Sequence, residues 1–285
     1  MKKIAVIINP QAGSNNKKFL QQLIQRLSDS NQVTLFETKK AGDATIIAKK
    51  QSKNFDIVAV AGGDGTIQEV INGIGAKTIL AIIPMGTANI IALEAGITKN
   101  INHLCKIILK GKIKKIHVPT INNRKFILMV GIGLDAFIVK NVNNNLKKIF
   151  GKIIFFIETV KQFFILQKPR IKIITNKKTF FANWVLITNA CHYAGPHQIT
   201  KQANIFNSNL VGYIFTNLTR INFLYYVFLI IFFGDLSKSK NIITVKSNEF
   251  KITANQNIPV QCDGEIFNKS TLLIKNSKSL VNLLT

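Results

Sequence analysis

A chain of 285 residues has length for two domains, and with 47% hydrophobic residues and a mean hydropathy of +0.21 it can bury a substantial core. With 38 Lys+Arg against 13 Asp+Glu, the formal net charge of +25 favours polyanionic partners: nucleic acid, an anionic membrane face or phosphorylated small molecules. Cys105, Cys191 and Cys262 are odd in number and have no paired spacing, which argues against a disulfide framework and a Cys-based zinc site and fits a reducing compartment.

The N-terminal segment Met1–Pro10 has an apolar run too short for a signal peptide and reads as a buried first strand. Strand and helix patterns then alternate, as in a mostly parallel sheet covered by helices. Lys3–Asn9 is a strand, Phe19–Leu27 a helix, Gln32–Phe36 a strand and Asp43–Gln51 a helix. Asp56–Val60 is a third strand, followed by Gly62-Gly63-Asp64-Gly65-Thr66 and a helix over Ile67–Ile74. Thr78–Ile83 is a fourth strand, ending in Pro84-Met85-Gly86-Thr87-Ala88-Asn89, with helical patterns over Asn89–Ala95 and Ile101–Leu109.

Near Gly111 short strands take over: Lys114–Val118, Lys125–Val130, Ile171–Thr175, Trp184–Asn189, Leu210–Phe215, Asn241–Lys246, Lys251–Thr253 and Thr271–Lys275. Two helical stretches interrupt them. Leu146–Leu166 carries a broad stripe of Ile149, Phe150, Ile153, Phe156, Ile157, Val160, Phe163 and Phe164, and Ile221–Phe233 is the other. Both stripes are expected to be core in large part, or to touch a lipid tail or bilayer with lysines meeting anionic head groups. The longest apolar run, Phe223–Phe233, falls well short of the ~20 residues of a membrane span. The expected division is 1–112 as an α/β domain, 113–270 as a strand-rich domain, and 271–285 returning to the first.

In so basic a chain the placement of acids is informative. Asp64, Asp135, Asp263 and Glu265 all sit in glycine-containing loops beside apolar strands. Asp-Gly alone is ordinary turn chemistry. Around Asp64, however, glycines let backbone approach phosphate oxygens, and the amides opening the next helix point at an anion. A second glycine turn at Pro84–Asn89 and a polar element at Asn9–Ser14 follow neighbouring strands, where α/β folds bind ligands. Three such loops make a nucleotide site, although no Gly-Lys-Ser/Thr of a Walker A loop occurs. His192 and His197 read as incidental loop residues and Trp184 as core.

Together these elements resemble the diacylglycerol kinase-like lipid kinase family, related to sphingosine and ceramide kinases. Asn9-Pro10 looks like its opening NPxSG element, with Ala12 where Ser is usual, and Gly62–Thr66 like its GGDGT element. Pro84–Asn89 is similar to P-x-G-T-x-N, Gly131-Ile132-Gly133-Leu134-Asp135-Ala136 to G-x-G-x-D-A, and Asp263-Gly264-Glu265 to the late D-G-E. NAD kinases and phosphofructokinases share relatives of GGDGT, but the T-P-T-G-S-T-A-Y segment of NAD kinases does not occur here.

The resemblance implies an α/β N-terminal domain, Rossmann-like and NAD kinase-like with a mostly parallel sheet, plus a β-sandwich-rich C-terminal domain, with ATP bound in the cleft between them. It implies that Asn9, Pro10, Thr38, Gly62, Gly63, Asp64, Gly65, Thr66, Gly86, Thr87 and Asn89 bind ATP. Asp263 or Glu265 would be the general base, with Glu265 favoured, and Asp64 would face metal or substrate. Mg²⁺ would accompany ATP. A structural Mg²⁺ site of bacterial members is doubtful here, because Asn207 stands where Asp is usual and contributes no charge. The implied partners are ATP, a lipid substrate and an anionic membrane surface approached peripherally from the cytoplasm, and not nucleic acid. Which lipid, and which oligomer, the sequence leaves open. Competing readings are a kinase of a soluble substrate and a degenerate nucleotide-binding protein.

Overall fold

The computed structural model describes residues 1–12, 17–142, 153–193, 195–254, 258–277 and 279–285. They divide into two compact units, Met1–Val118 with Ser277–Thr285, and Pro119–Asn276. Gly13, Ser14 and the stretch 146–152, all named above, lie partly or wholly outside the described residues.

The first unit runs β1 (Lys3–Ile8), α1 (Lys17–Ser28), β2 (Gln32–Glu37), α2 (Asp43–Gln51), β3 (Ile57–Gly62), α3 (Asp64–Gly73), β4 (Ile79–Pro84), α4 (Ile90–Glu94), α5 (Ile101–Lys110) and β5 (Ile113–His117). Its sheet has the order β2-β1-β3-β4, then the chain's final strand Leu280–Leu284, then β5. All neighbours pair parallel except β5, which is antiparallel to the final strand. A parallel strand covered on both faces needs a continuous apolar run, and β3, reading IVAVAG, is buried along its whole length. Helix α5 shows the complementary pattern. Leu104, Ile107 and Ile108 are buried at helical spacing, and the Asn100 side chain caps its start by accepting the His103 N–H at 3.0 Å.

The second unit comprises β6 (Thr120–Ile121), β7 (Arg124–Lys125), β8 (Met129–Ile132), α6 (Leu134–Asn141), α7 (Ile153–Ile165), β9 (Ile171–Thr175), β10 (Lys178–Ala182), β11 (Trp184–Thr188), β12 (His192–Tyr193), β13 (His197–Gln198), β14 (Leu210–Phe215), α8 (Arg220–Phe232), β15 (Ile242–Ser247), β16 (Glu249–Thr253), β17 (Val260–Cys262), β18 (Glu265–Ile266) and β19 (Thr271–Lys275). Among the described residues two antiparallel sheets form, β10-β9-β16-β19-β6-β7 and β15-β14-β11-β8-β17-β18, beside a β12-β13 ribbon. Their facing side chains make one core. Ile173, Phe250, Ile252 and Leu272 come from one sheet, and Val130, Val185, Ile187 and Ile214 from the other. At Gly212 a Cβ would lie 2.7 Å from the Phe250 ring, so that position has no room for a side chain.

Two expectations about organisation change. Ile113–His117, read as the start of the strand-rich domain, belongs to the first sheet, and the division falls at Val118. Thr271–Lys275, read as part of the returning segment, pairs with β16 in the second unit, so the return begins at Ser277. Both depend on strand partners distant in sequence, which local patterning does not reveal. The helical stripes also differ from the core reading. On α7, Ile153, Phe156, Ile157, Val160 and Phe164 are exposed, while Ile154, Glu158 and Gln162 are buried.

Candidate functional site

In the first unit β2, β1, β3 and β4 are neighbouring parallel strands, so the residues following them share one edge of the sheet. Asn9, Thr38, Gly63–Thr66 and Met85–Asn89 therefore gather there. The Asn9 side-chain amide donates to Thr66 Oγ1 at 3.0 Å, and its Oδ1 accepts the Gln11 N–H at 3.0 Å, which ties the β1 loop to the start of α3. The Thr38 N–H donates to the Ile8 carbonyl at 2.9 Å. Pro10 and Thr87 are exposed, Gly62 and Thr66 are buried, and Gly65 lies between these extremes.

Helix α3 begins at Asp64, immediately after β3, leaving Gly63 as the single connecting residue. The first intrahelical bond runs from the Ile67 N–H to the Gly63 carbonyl at 3.1 Å, so the preceding amides of the first turn point out of the helix end, where an anion is favoured. The two glycine loops touch backbone to backbone. A Cβ on Gly86 would sit 2.5 Å from the Gly63 Cα, and one on Gly63 would sit 3.2 Å from the Gly86 Cα. Asn89, in the left-handed region with φ 51°, clamps its own loop: Oδ1 accepts the Gly86 N–H and Nδ2 donates to the Gly86 carbonyl, each at 2.8 Å. The two loops can approach this closely only because neither carries a side chain at the contact. Gly86→Ala is expected to push the loops apart, costing about 1–3 kcal/mol of stability in urea unfolding.

Asp64, expected to face metal or substrate, also holds backbone. Its Oδ2 accepts the Ile90 N–H at 3.0 Å and its Oδ1 the Ile91 N–H at 2.9 Å, so both oxygens serve the start of α4. Burial pushes its pKa up, opposed by backbone amides, those of Ile91 and Ile90 foremost. Glu69, not singled out by sequence, plays a parallel part. Its carboxylate accepts the Gly42 N–H at 2.9 Å and the Ala44 N–H at 3.2 Å, holding the N-terminus of α2, where Gly42 has φ 88°.

In the second unit Asp263 and Gly264 form the two-residue turn of the β17–β18 hairpin, with φ 49° and 83°. Paired positive φ values are what an Asp-Gly hairpin turn supplies. The Asp263 carboxylate is also filled. Oδ2 accepts the Ile127 N–H at 2.8 Å, and Oδ1 accepts those of Leu128 and Met129, each at 2.9 Å. The amides of Ile127 and Leu128 lie in the break between β7 and β8, a stretch expected as one continuous strand, and that of Met129 opens β8. Glu265 differs, since its side chain is 49% exposed and meets Arg124 in an ion pair at 2.6 Å. Local sequence offers no sign of Arg124, which is 141 residues away in the chain.

The turn is braced from beneath. The Gly264 N–H donates to Gln261 Oε1 at 2.9 Å, and Gln261 Nε2 donates to Asp135 Oδ2, also at 2.9 Å. Trp184 Nε1 donates to Asp135 Oδ1 at 3.1 Å, and the indole stacks on Phe215 with ring centroids 3.8 Å apart. The G-x-G-x-D-A pattern thereby has a steric cause, because a Cβ on Gly131 would fall 1.8 Å from Asp135 Oδ2. Burial pushes Asp135 up to about 6, against the pull of Gln261 and Trp184. A carboxyl raised in the fold stabilises it fully below the unfolded value of 3.8 and loses that contribution as pH rises through about 6. Wild type should therefore lose about 2 kcal/mol relative to Asp135→Asn between pH 4 and 7, measured by urea unfolding at each pH. Asn207 is exposed and ends a turn in which its N–H donates to the Asn204 carbonyl at 2.9 Å.

Residues 3–121 match the diacylglycerol kinase catalytic domain family. A diacylglycerol kinase of Bacillus subtilis (strain 168) is 26% identical over 274 residues, covering 93% of this chain and 90% of that one. The diacylglycerol kinase of Staphylococcus aureus (strain MRSA252) is also 26% identical over 274 residues, covering 93% and 86%. The crystal structure of a diacylglycerol kinase from Bacillus anthracis str. Sterne superposes with TM-score 0.81 at 25% identity, over 99% of this chain and 96% of that one. Another Bacillus anthracis structure shares the fold, with TM-score 0.83 at 23% identity over 99% and 95%. With its glycine loops, its sheet orders and its late Asp-Gly-Glu hairpin accounted for, the chain is similar to diacylglycerol kinases over 93% of its length.

Proposed function

We propose that this protein is a lipid kinase that transfers the γ-phosphate of ATP to a lipid hydroxyl at a membrane surface, with Glu265 as the proton acceptor. The observation carrying this reading is the division of labour between the two late carboxylates. Asp263 is accounted for by its turn conformation and three backbone amides, whereas Glu265 is exposed and held by one guanidinium. A general base must present a lone pair to the hydroxyl it deprotonates, and Glu265 has that access. Asp263, Gln261 and Asp135 act as positioning residues, fixing the hairpin from which Glu265 projects.

In the first unit the contact between Gly63 and Gly86 and the opening amides of α3 fit a polyphosphate. Asn9 orients the Thr66 hydroxyl toward the same edge. Mg²⁺ bound with ATP would neutralise phosphate charge. Asp64, its oxygens engaged by Ile90 and Ile91, serves that site by holding the second glycine loop and α4 in place, and so acts as a positioning residue rather than an outward ligand. Relatives named diacylglycerol kinase point to a glycerolipid alcohol as acceptor.

The test follows labelled γ-phosphate from Mg·ATP into organic-extractable lipid, with vesicles offering diacylglycerol, a sphingoid base and a polyprenol side by side. Label in one lipid supports the reading and names the acceptor. Nucleotide binding with no labelled lipid, but with transfer to a soluble alcohol, would replace it.

A further inference from the structure

We propose that α7 and α8 form a docking ridge that inserts into the interfacial region of an anionic bilayer. This rests on the lipid-kinase reading, which requires an acceptor drawn from a membrane. Helix α7 is patterned inside out for water. Its buried positions are Ile154, Glu158 and Gln162, with Gln162 Nε2 donating to Glu158 Oε1 at 2.9 Å. Apart from Lys161, its exposed positions are large and apolar, with Phe156 at 69% and Phe164 at 65%. A helix facing solvent reverses that arrangement.

Helix α8 carries no charged residue after Arg220. It buries Phe223, Tyr226 and Leu229 and exposes Leu224, Phe228 and Phe232, the last at 70%. The two helices make one surface. Phe163 and Phe223 meet with ring centroids 5.7 Å apart, and the Arg220 guanidinium donates to the Phe164 carbonyl at 2.9 Å. Contiguous apolar area of this kind marks an interaction site.

Charge selects the occupant. Glu158, the single acid in these two helices, is buried and lies 3.6 Å from the Lys161 ammonium. Exposed cations stand at the helix flanks: Lys161, Lys168, Arg170, Arg220 and Lys238. Arg170 lies over the Phe181 ring at 4.6 Å, and Lys238 over Phe233 at 4.2 Å, so cations and aromatic rings adjoin at the margin. A second copy would bring cationic margin against cationic margin. Anionic headgroups neutralise it while acyl chains take the apolar crest. At thirteen residues each the helices are ~20 Å long and cannot span, so they lie in the interface.

The test uses the full chain and sucrose-loaded vesicles of phosphatidylcholine with and without phosphatidylglycerol. The combined variant Phe156→Ser, Phe164→Ser, Phe228→Ser, Phe232→Ser should lose at least about tenfold in partitioning onto the anionic vesicles. It should still phosphorylate a dispersed short-chain diacylglycerol as wild type does. Should that variant fold poorly, Phe228→Trp serves instead. Its emission should be quenched by brominated acyl chains, while Trp184, buried beside Phe215, does not respond. Unchanged partitioning in the folded serine variant, or an unquenched Trp at 228, overturns the proposal. Conversion of a dimer to a monomer with vesicle binding intact also overturns it, assigning the ridge to a second copy. Failure of the lipid-kinase reading is separate, appearing as absence of transfer to either form of lipid while the ridge still partitions.

Discussion

Glu265→Gln is expected to lower kcat by about 10²–10⁴-fold, the range for removing a positioned general base, with nucleotide affinity unchanged. Gln keeps the length of Glu and can still accept a hydrogen bond from Arg124, but it cannot take a proton. The ion pair lost is half-exposed, with side chains 33% and 49% accessible, and pairs of that kind contribute only ~0–1 kcal/mol. The fold should therefore survive, and single-turnover phosphate transfer with calorimetric nucleotide titration separates chemistry from binding. Asp263→Asn makes the informative contrast. An amide there sets N–H groups against the amides of Ile127, Leu128 and Met129, so this variant should melt at a lower temperature. If Glu265→Gln turns over within a few-fold of wild type while Asp263→Asn is folded and dead, the assignment of the base passes to Asp263.

Asp64→Ala should be the most damaging single change in the first unit. It strands the amides of Ile90 and Ile91 at a half-buried helix start, each costing roughly 1–3 kcal/mol when left without a partner. It also releases the loop containing Gly86 and Asn89 from the start of α3, so nucleotide binding should fall with stability. Asp64→Asn retains one acceptor and should be intermediate in chemical denaturation. That ordering, Ala worse than Asn in both stability and nucleotide affinity, follows from a positioning role. A carboxylate acting only on metal or substrate would instead leave the unfolding midpoint of both variants at the wild-type value.

Much of this was legible in the sequence, because local pattern decided it. The continuous apolar run of β3 could only be a doubly covered parallel strand, and the glycines after it had to open a helix directly. The order of the glycine loops and the Asp-Gly-Glu segment likewise read off the chain, whereas the returning strand Leu280–Leu284 did not. Tertiary structure decided what each acid does. Asp64 and Asp263 carry the same side chain that a metal ligand or base would, and only the tertiary structure brings against them the amides they accept, from residues 26 to 136 positions away. The same holds for Arg124 and Gln261, whose partners lie across sheets, and for the boundary at Val118, set by pairing with the final strand. The stripe on α7 is the sharpest case: hydrophobic periodicity fixes that a helix has an apolar face, but which face is covered depends on its neighbours, and here the fold buries the polar one.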